Sequence, residues 1–213
     1  MAYKKGIQTK ENIIENARTL FYVYGLKEVS AACICKRSDV KLGTLTYYFK
    51  RKHDFIVYFY NDYMERINRY IEKNTTSLNP VQFHMYMIMM YYFNIYRDNN
   101  TVKFHEEVLS NTSMYNVLFS QKELFRPFID HSSINKMCTE LVILADNAVR
   151  RELNLAFISS SSKDVDEIKK LVKNIYTITA KLFNFDQKLL EKYIEEGYQF
   201  LINHIDIKIG LLR

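Results

Sequence analysis

Residues Lys41 to Lys52, KLGTLTYYFKRK, gather small, hydroxyl and basic groups on one short stretch. Val40, Leu45 and Phe49 are spaced to share one inward face of a short helix. Lys41, Leu42, Gly43 and Thr44 then make a first turn with little to bury. Thr46, Tyr47 and Tyr48 lie on or near the opposite face, and Lys50, Arg51 and Lys52 follow directly. Hydroxyl and cationic side chains donate hydrogen bonds to phosphate oxygens, and a helix with a small first turn can approach base edges in a major groove. Such a surface suits recognition of double-stranded DNA. Ser30 precedes the helix before it, as an N-cap whose hydroxyl can also reach a phosphate.

A second set of residues could hold a small molecule. After Asn79-Pro80, an N-cap followed by Pro at the first turn, the run VQFHMYMIMMYYFNIY is apolar nearly all round. A helix without a polar face belongs at the centre of a core. Four of the eight Met fall between Met85 and Met90. Thioethers and aromatic rings can line an adaptable cavity or fill an irregular core, and spacing does not separate the two. The stripe His84, Met87, Tyr91, Asn94 mixes polar with soft apolar groups. A buried His or Asn there must be paired, by protein or by ligand. His105, Glu106 and Glu107 are adjacent and diverge by about 100° per residue on a helix, so they cannot all face one ion. His105 reads as pocket wall or core edge. Phe119 faces inward with Tyr115 and Leu118. Asp146 shares a stripe with Val142, Val149 and Leu153, and its carboxylate needs Arg150, a cation from another helix, or a cationic or hydroxylated ligand.

Catalytic chemistry is poorly provided for. The sequence holds no Gly-rich phosphate loop and no Ser/His/Asp motif. Histidines 53, 84, 105, 131 and 204 have no metal spacing. Cys33, Cys35 and Cys138 are an odd number and imply no disulfide framework. Cys33 and Cys35 point to different faces of one helix, so Cys35 reads as a packed small residue beside Ala31 and Ile34. Neither an enzyme nor a resident cofactor or metal is expected.

The elements that must position these groups are helices throughout. Only two Pro and five Gly occur in 213 residues. The pattern places helices over about 9–24, 30–38, 41–48, 52–74, 80–96, 101–110, 113–124, 133–157, 165–183 and 186–207. Arg126-Pro127 is read as an interruption, and Ser159 to Lys163 as a loop. Lys4, Lys5 and Lys10 form a basic lead-in, either a DNA contact or a loose tail. Helix 52–74 carries Phe55, Phe59, Tyr63, Arg66, Ile67 and Tyr70 without a break and so acts as a rigid lever. Leu141, Leu144, Ala145, Ala148, Glu152 and Leu155 mark one stripe of helix 133–157. Residues 1–55 hold eleven Lys/Arg against five Asp/Glu, whereas residues 56–213 hold nineteen of each. The positive excess thus accompanies the candidate DNA surface. No leader pattern follows Met1 to Gly6, and no apolar run approaches the roughly eighteen residues of a membrane helix. A cytoplasmic chain with no membrane association is expected.

The stretch from about Lys10 to Phe55 resembles the DNA-binding domain of the TetR family of transcriptional regulators. The resemblance rests on Ile13, Ala17, Leu20, Phe21 and Gly25, then on Val40, Gly43, Thr44, Leu45, Phe49 and Lys52. Asp39 stands where the family's turn usually has Gly, and Thr46 where an aromatic residue usually follows Thr-Leu. The resemblance implies an all-α chain with a helix-turn-helix DNA-binding domain over 1–52 and a helical ligand-binding and dimerisation domain over 53–213. It implies Lys41, Leu42, Gly43 and Tyr47 at base edges, and Ser30, Thr44, Thr46, Tyr48 and Lys52 at phosphates. It implies a small lipophilic or aromatic effector in a cavity drawn from His84, Met87, Tyr91, Asn94, His105, Phe119 and Asp146. A homodimer on a palindromic operator would then pair the two C-terminal helices in a four-helix bundle. Its seam would be Ile168, Leu171, Ile175 and Ile178 with Leu190, Ile194, Gly197, Tyr198, Leu201 and Ile205, unless both helices pack only on their own chain. The alternative function is an adaptor or coactivator of the same fold without specific DNA reading.

Overall fold

The computed structural model describes residues 2–119, 122–130, 132 and 136–213, and no strand occurs among them. Eleven helices follow one another: α1 (Ala2–Tyr24), α2 (Ala31–Ser38), α3 (Leu42–Tyr48), α4 (Lys52–Asn74), α5 (Pro80–Tyr96), α6 (Asn99–Ser110), α7 (Thr112–Phe119), α8 (Lys122–Ile129), α9 (Lys136–Ile158), α10 (Val165–Leu182) and α11 (Gln187–Asn203). The expected helix over 113–124 crosses residues 120–121, which lie outside the described residues. So do His131, the start near Ser133 and the side chain of Lys4.

Local chemistry sets most boundaries. Ser30 caps α2 by accepting from the Cys33 N–H at 3.2 Å. Asp39 ends α2 in the left-handed region at φ 52° and donates its N–H to the Cys35 carbonyl. Asp tolerates this region better than most residues, so the missing turn glycine costs little. Gly25, at φ 85°, closes α1. Asn79, Asp164 and Asp186 cap α5, α10 and α11.

Four features of the helix boundaries differ from expectation. α1 begins at Ala2, because the Gly6 carbonyl accepts a bond from the Tyr48 hydroxyl at 3.0 Å and holds the first turns against α3. The lead-in is therefore helical. α6 begins at Asn99, because the Asp98 carboxylate accepts from the N–H groups of Asn100 and Thr101 at 3.0 and 3.2 Å. α8 runs through Pro127, with Phe125 and Phe128 buried on either side of it. α11 stops at Asn203, and the residues after it turn back across the molecule. There Leu211 and Leu212 are buried, Arg18 donates to the Leu211 carbonyl at 2.9 Å, and Arg66 donates to the Gly210 carbonyl at 2.7 Å.

α5 is the axis of the core: every residue from Met87 to Tyr96 is buried. α4, α10 and α11 pack around it. The residues of the expected dimer seam lie as follows within the single chain. Ile168, Leu171, Ile175, Leu190, Ile194, Gly197 and Leu201 are buried within their own chain, and Ile178 and Tyr198 are half-buried. Tyr198 is held in the chain by a hydrogen bond to Asp166 at 2.5 Å, and only Ile205 is exposed. The inner faces of α10 and α11 pack on α5, on α9 and on each other, while Leu189, Ile202 and Ile205 remain exposed.

α9 is turned the other way. Its stripe of Cys138, Leu141, Leu144, Ala145, Ala148 and Val149 faces outward, with Leu141 69% and Leu144 57% exposed. Its inner side is polar, with Thr139, Asp146, Asn147, Arg150 and Asn154 buried beside Ile143.

Gly197 marks the closest helix crossing. A Cβ there would lie 3.1 Å from the carbonyl carbon and oxygen of Met85. Backbone atoms cannot swing aside as a side chain can, so α11 would have to back away from α5. Gly197→Ala is expected to lower stability by about 1–3 kcal/mol, although Ala is favoured by about 1 kcal/mol in a helix interior. A urea unfolding series compared with wild type checks this, and an unchanged or higher midpoint would contradict the close crossing.

Candidate nucleic-acid interface and effector cavity

α3 is a short helix anchored from below. Leu45 and Phe49 are buried and Val40 packs beside them, as the spacing predicts. The opposite face is bare. Leu42 is 58% and Tyr47 78% exposed, and Lys41, Gly43 and Thr46 are exposed beside them. A Cβ on Gly43 would meet nothing within 4 Å. Neither internal packing nor a positive φ therefore requires glycine at that position, although it costs about 1 kcal/mol of helix propensity relative to Ala.

The other expected contacts are partly engaged inside the chain. Tyr48 donates to Gly6, as above. Lys52 donates to the Leu26 carbonyl at 2.9 Å and so braces the turn between α1 and α2. Thr46 Oγ1 lies 3.0 Å from the Leu42 carbonyl and 3.2 Å from that of Gly43, the back-bonding usual for Thr in a helix. The hydroxyl protons of Tyr48 and Thr46 are thus committed to internal carbonyls in this conformation, while Lys52 keeps two further N–H donors. Ser30 serves as the α2 cap, and Thr44 is half-buried.

Behind α3, Phe49 stacks on Phe55 in the first turn of α4, with centroids 3.9 Å apart. Farther along α4, Tyr60, Asn61 and Met64 line a cavity of about 70 Å³. His84, Ile88, Tyr91 and Tyr92 of α5 line it too, with Leu118 and Phe119 of α7, Leu124 and Phe125 of α8, Asn147 and Arg150 of α9, and Tyr176 of α10. Asn61 is exposed, and Met64, Phe119 and Leu124 are half-buried, which puts the mouth beside α4.

The polar groups of this cavity are mostly paired. His84 Nε2 and the Tyr176 hydroxyl share a bond at 2.7 Å. The Tyr60 hydroxyl and His105 Nδ1 share one at 2.6 Å. Tyr92 accepts from Asn154 Nδ2 at 3.2 Å. Arg150 donates from Nη2 to the Asp146 carboxylate at 2.8 Å and to Thr179 at 3.2 Å, while its guanidinium lies over the Tyr176 ring. Two groups are left over. Neither end of the Asn147 carboxamide, nor the Tyr91 hydroxyl, finds a hydrogen-bond partner among the described residues. An unpaired buried polar group costs about 1–3 kcal/mol.

Charge in the cavity is balanced. Burial pushes His84 down to about 3, helped by the nearby Arg150 charge, and burial alone pushes His105 down to about 3. Both rings are neutral near pH 7. Burial raises the Tyr60 and Tyr91 phenols well above their ordinary value, so these also stay neutral. Burial opposes the Arg150 charge, but Tyr176, Asp146, Tyr92 and Tyr115 act against it, and the group stays well above its ordinary value.

Of the residues expected at an effector site, His84, Tyr91 and Phe119 line the cavity. Met87 and Asn94 are buried away from it. His105 stands one bond behind Tyr60, and Asp146 pairs with Arg150 and Thr179 instead of lining the wall. Asn147 and Arg150 line the cavity as well; the sequence reading names Arg150 only as a partner for Asp146 and does not single out Asn147. Glu107 accepts from the N–H groups of Leu26 and Lys27, on another face of α6 from His105.

These features define a class: an N-terminal helix-turn-helix whose third helix is exposed, joined by one unbroken helix to a body that is helical among the described residues and encloses a cavity. No protein-family model matches the sequence, and no curated protein matches it. Among solved structures, RolR in complex with the ligand resorcinol is similar, with a TM-score of 0.61 at 13% identity over 90% of this chain and 95% of RolR. Salmonella enterica GusR is similar at a TM-score of 0.46 and 18% identity, over 83% of this chain and 96% of that one. TylP, a TetR regulator from Streptomyces fradiae, is similar at 0.43 and 14%, over 90% and 98%. The chain has the TetR-like fold.

The two buried histidines make stability depend on pH. Each has an unfolded value near 6.5 and a folded value near 3. Below pH 6.5 the unfolded chain takes up protons that the folded chain refuses. Their contribution is therefore fully present above about pH 6.5 and is lost as pH falls toward 3, at about 1.4 kcal/mol per pH unit for each ring. Urea midpoints from pH 7 to pH 4.5 are expected to fall, and to fall less steeply in His84→Gln and in His105→Gln. Equal slopes in all three proteins would show that the rings protonate in place.

Proposed function

We propose that this protein is a ligand-responsive transcriptional regulator that binds a palindromic operator as a homodimer and is released by a small effector. Residues 1–52 are the DNA-binding part and residues 53–213 the effector-binding and dimerising part. The observation that carries this reading is the outer face of α3. Lys41, Leu42, Gly43 and Tyr47 are exposed on a helix whose opposite side is firmly anchored, and the positive excess of the chain falls within residues 1–55, which include them. Neither Tyr47 nor Leu42 covers any core, and Gly43 leaves room for close approach of another surface. A DNA groove accounts for all of these. Repression is the expected sense of regulation, since release by an effector empties the operator.

One reading helix reaches few bases, and two-fold pairing places two of them in successive major grooves about 34–36 Å apart. The outward stripe of α9 offers a face for such pairing, beside the exposed Leu189, Ile202 and Ile205 of the C-terminal segment. It is apolar at its centre and carries the small residues Ala145 and Ala148, which let helices come close. RolR, which shares the fold, was solved with a phenolic ligand, and the aromatic cavity here supports an effector of small size.

The rival reading is an adaptor of the same fold. It is favoured by the internal commitment of the Thr46 and Tyr48 hydroxyls, which subtracts two phosphate donors. Binding to DNA from beside its own gene and to scrambled DNA, over a salt series, separates the two. A regulator binds the first DNA selectively, with log K falling by about 0.9 per phosphate contact per log unit of salt. Tyr47→Ala then reduces selective binding by about tenfold or more and leaves binding to scrambled DNA unchanged. Equal weak binding to both DNAs establishes the adaptor. In light scattering on a sizing column, Leu141→Glu is expected to convert a dimer to a folded monomer. A dimer that persists would move the pairing surface off α9.

A further inference from the structure

Asn147 is the least explained residue of the cavity. Its side chain is buried on the inner side of α9, it lines the cavity, and both ends of its carboxamide are without a partner among the described residues. Tyr91 lines the same cavity from α5, and its hydroxyl is unpartnered too. Protein interiors rarely leave such groups unpaired. Together they offer a carboxamide that both donates and accepts and a phenol that does the same, within walls that are otherwise aromatic and aliphatic. Phe119 and Phe125 supply ring faces.

We infer that the effector is a small uncharged aromatic molecule bearing a hydroxyl group, which both donates to and accepts from Asn147 and Tyr91. This deepens the effector reading above and rests on it. A hydroxyl can donate to the Asn147 carbonyl oxygen and accept from the Tyr91 hydroxyl, pairing two orphans with one group. A hydrocarbon ring would leave the same groups unpaired, and a site built to bond a hydroxyl rejects the analogue lacking it. A carboxylate would need a free cation. The one cation in the wall, Arg150, is already held by Asp146 and Thr179, so a second anion would meet a neutral site. Size points the same way. A cavity of about 150 Å³ holds benzene, and this one, at about 70 Å³, admits a single ring only when a wall gives way.

The test uses the full chain without DNA and three probes of one ring each: phenol, benzoate and toluene. Isothermal titration is expected to give phenol binding at least tenfold tighter than either of the others. Asn147→Leu, which keeps the volume and removes both orphan groups, is expected to weaken phenol at least tenfold while toluene binds as well as before or better. That variant also unfolds no earlier than wild type, so loss of phenol binding cannot be laid to misfolding. The inference is overturned if benzoate matches phenol, if toluene matches phenol in the wild type, if Asn147→Leu leaves phenol binding unchanged, or if none of the three binds. DNA release is read separately. If phenol binds as expected but does not displace selectively bound DNA, the ligand class stands and the effector role fails. If DNA is never bound selectively, the regulator reading fails while the phenol result keeps its meaning.

Discussion

Phe55 sits where the two functional surfaces meet. It lies in the first turn of α4, stacked on Phe49 at 3.9 Å and set edge-on to Phe21 at 6.1 Å. All three rings are buried. Phe49 directly follows the reading helix and Phe21 belongs to α1, so one cluster fixes the helix-turn-helix to the lever. Aromatic pairs of this kind contribute about 0.5–1.5 kcal/mol each beyond their buried area. Close-packed interiors resist gradual deformation. A shift of α4 is therefore passed to α3 as a movement of the whole unit.

A second connection runs through α6. His105 bonds Tyr60 at the cavity wall, and two residues later Glu107 caps the turn after α1. The spacing that disqualifies His105, Glu106 and Glu107 as a metal site suits this role, since diverging side chains can touch different neighbours. Arg18 of α1 adds an ion pair to Asp62 of α4 at 2.9 Å. Tyr60 thus stands at the head of two routes, one through Phe55 to α3 and one through α6 to the turn after α1.

Features set by a few neighbouring residues were legible in the sequence. Ser30, Asn79 and Asp164 are caps because their side chains bond N–H groups two or three positions away. Val40, Leu45 and Phe49 anchor α3 because one short helix has one inward face. What failed was direction. Periodicity shows that Leu141, Leu144, Ala145 and Ala148 share a stripe but not whether the stripe looks in or out. In this chain the polar side of α9 is the inner one, because Arg150 brings Asp146 and Thr179 with it as a paired set. The same limit leaves open from sequence which neighbours α10 and α11 meet. Their stripes are real, and Gly197 does mark a close crossing, but the crossing helix is α5 of the same chain. The cavity was half legible. His84 and Tyr91 stand out as polar groups in an apolar helix, whereas Tyr60, Asn147, Arg150 and Tyr176 come from helices far apart in sequence, and only packing brings them together.

The tightness of the cavity bears directly on the proposed release mechanism. A roomy cavity could take a ligand without altering its walls, and a ligand that binds two states equally shifts neither. Here a ring cannot enter the observed space unless a wall yields. The walls differ in how readily they can move. α5 is surrounded on every side, and α9 and α10 are tied to each other through Arg150, Asp146 and Thr179. α4 borders the mouth, with Asn61 exposed and Met64 half-buried on a flexible side chain. α4 is the wall helix that borders the mouth, and it is also the helix that carries Phe55. Moving an operator-bound population from 99:1 to 1:99 takes about 5.5 kcal/mol of preference for the expanded state. New hydrogen bonds to Asn147 and Tyr91, formed only when the ring is seated, are contacts that the closed state cannot offer. They supply the differential binding that release requires.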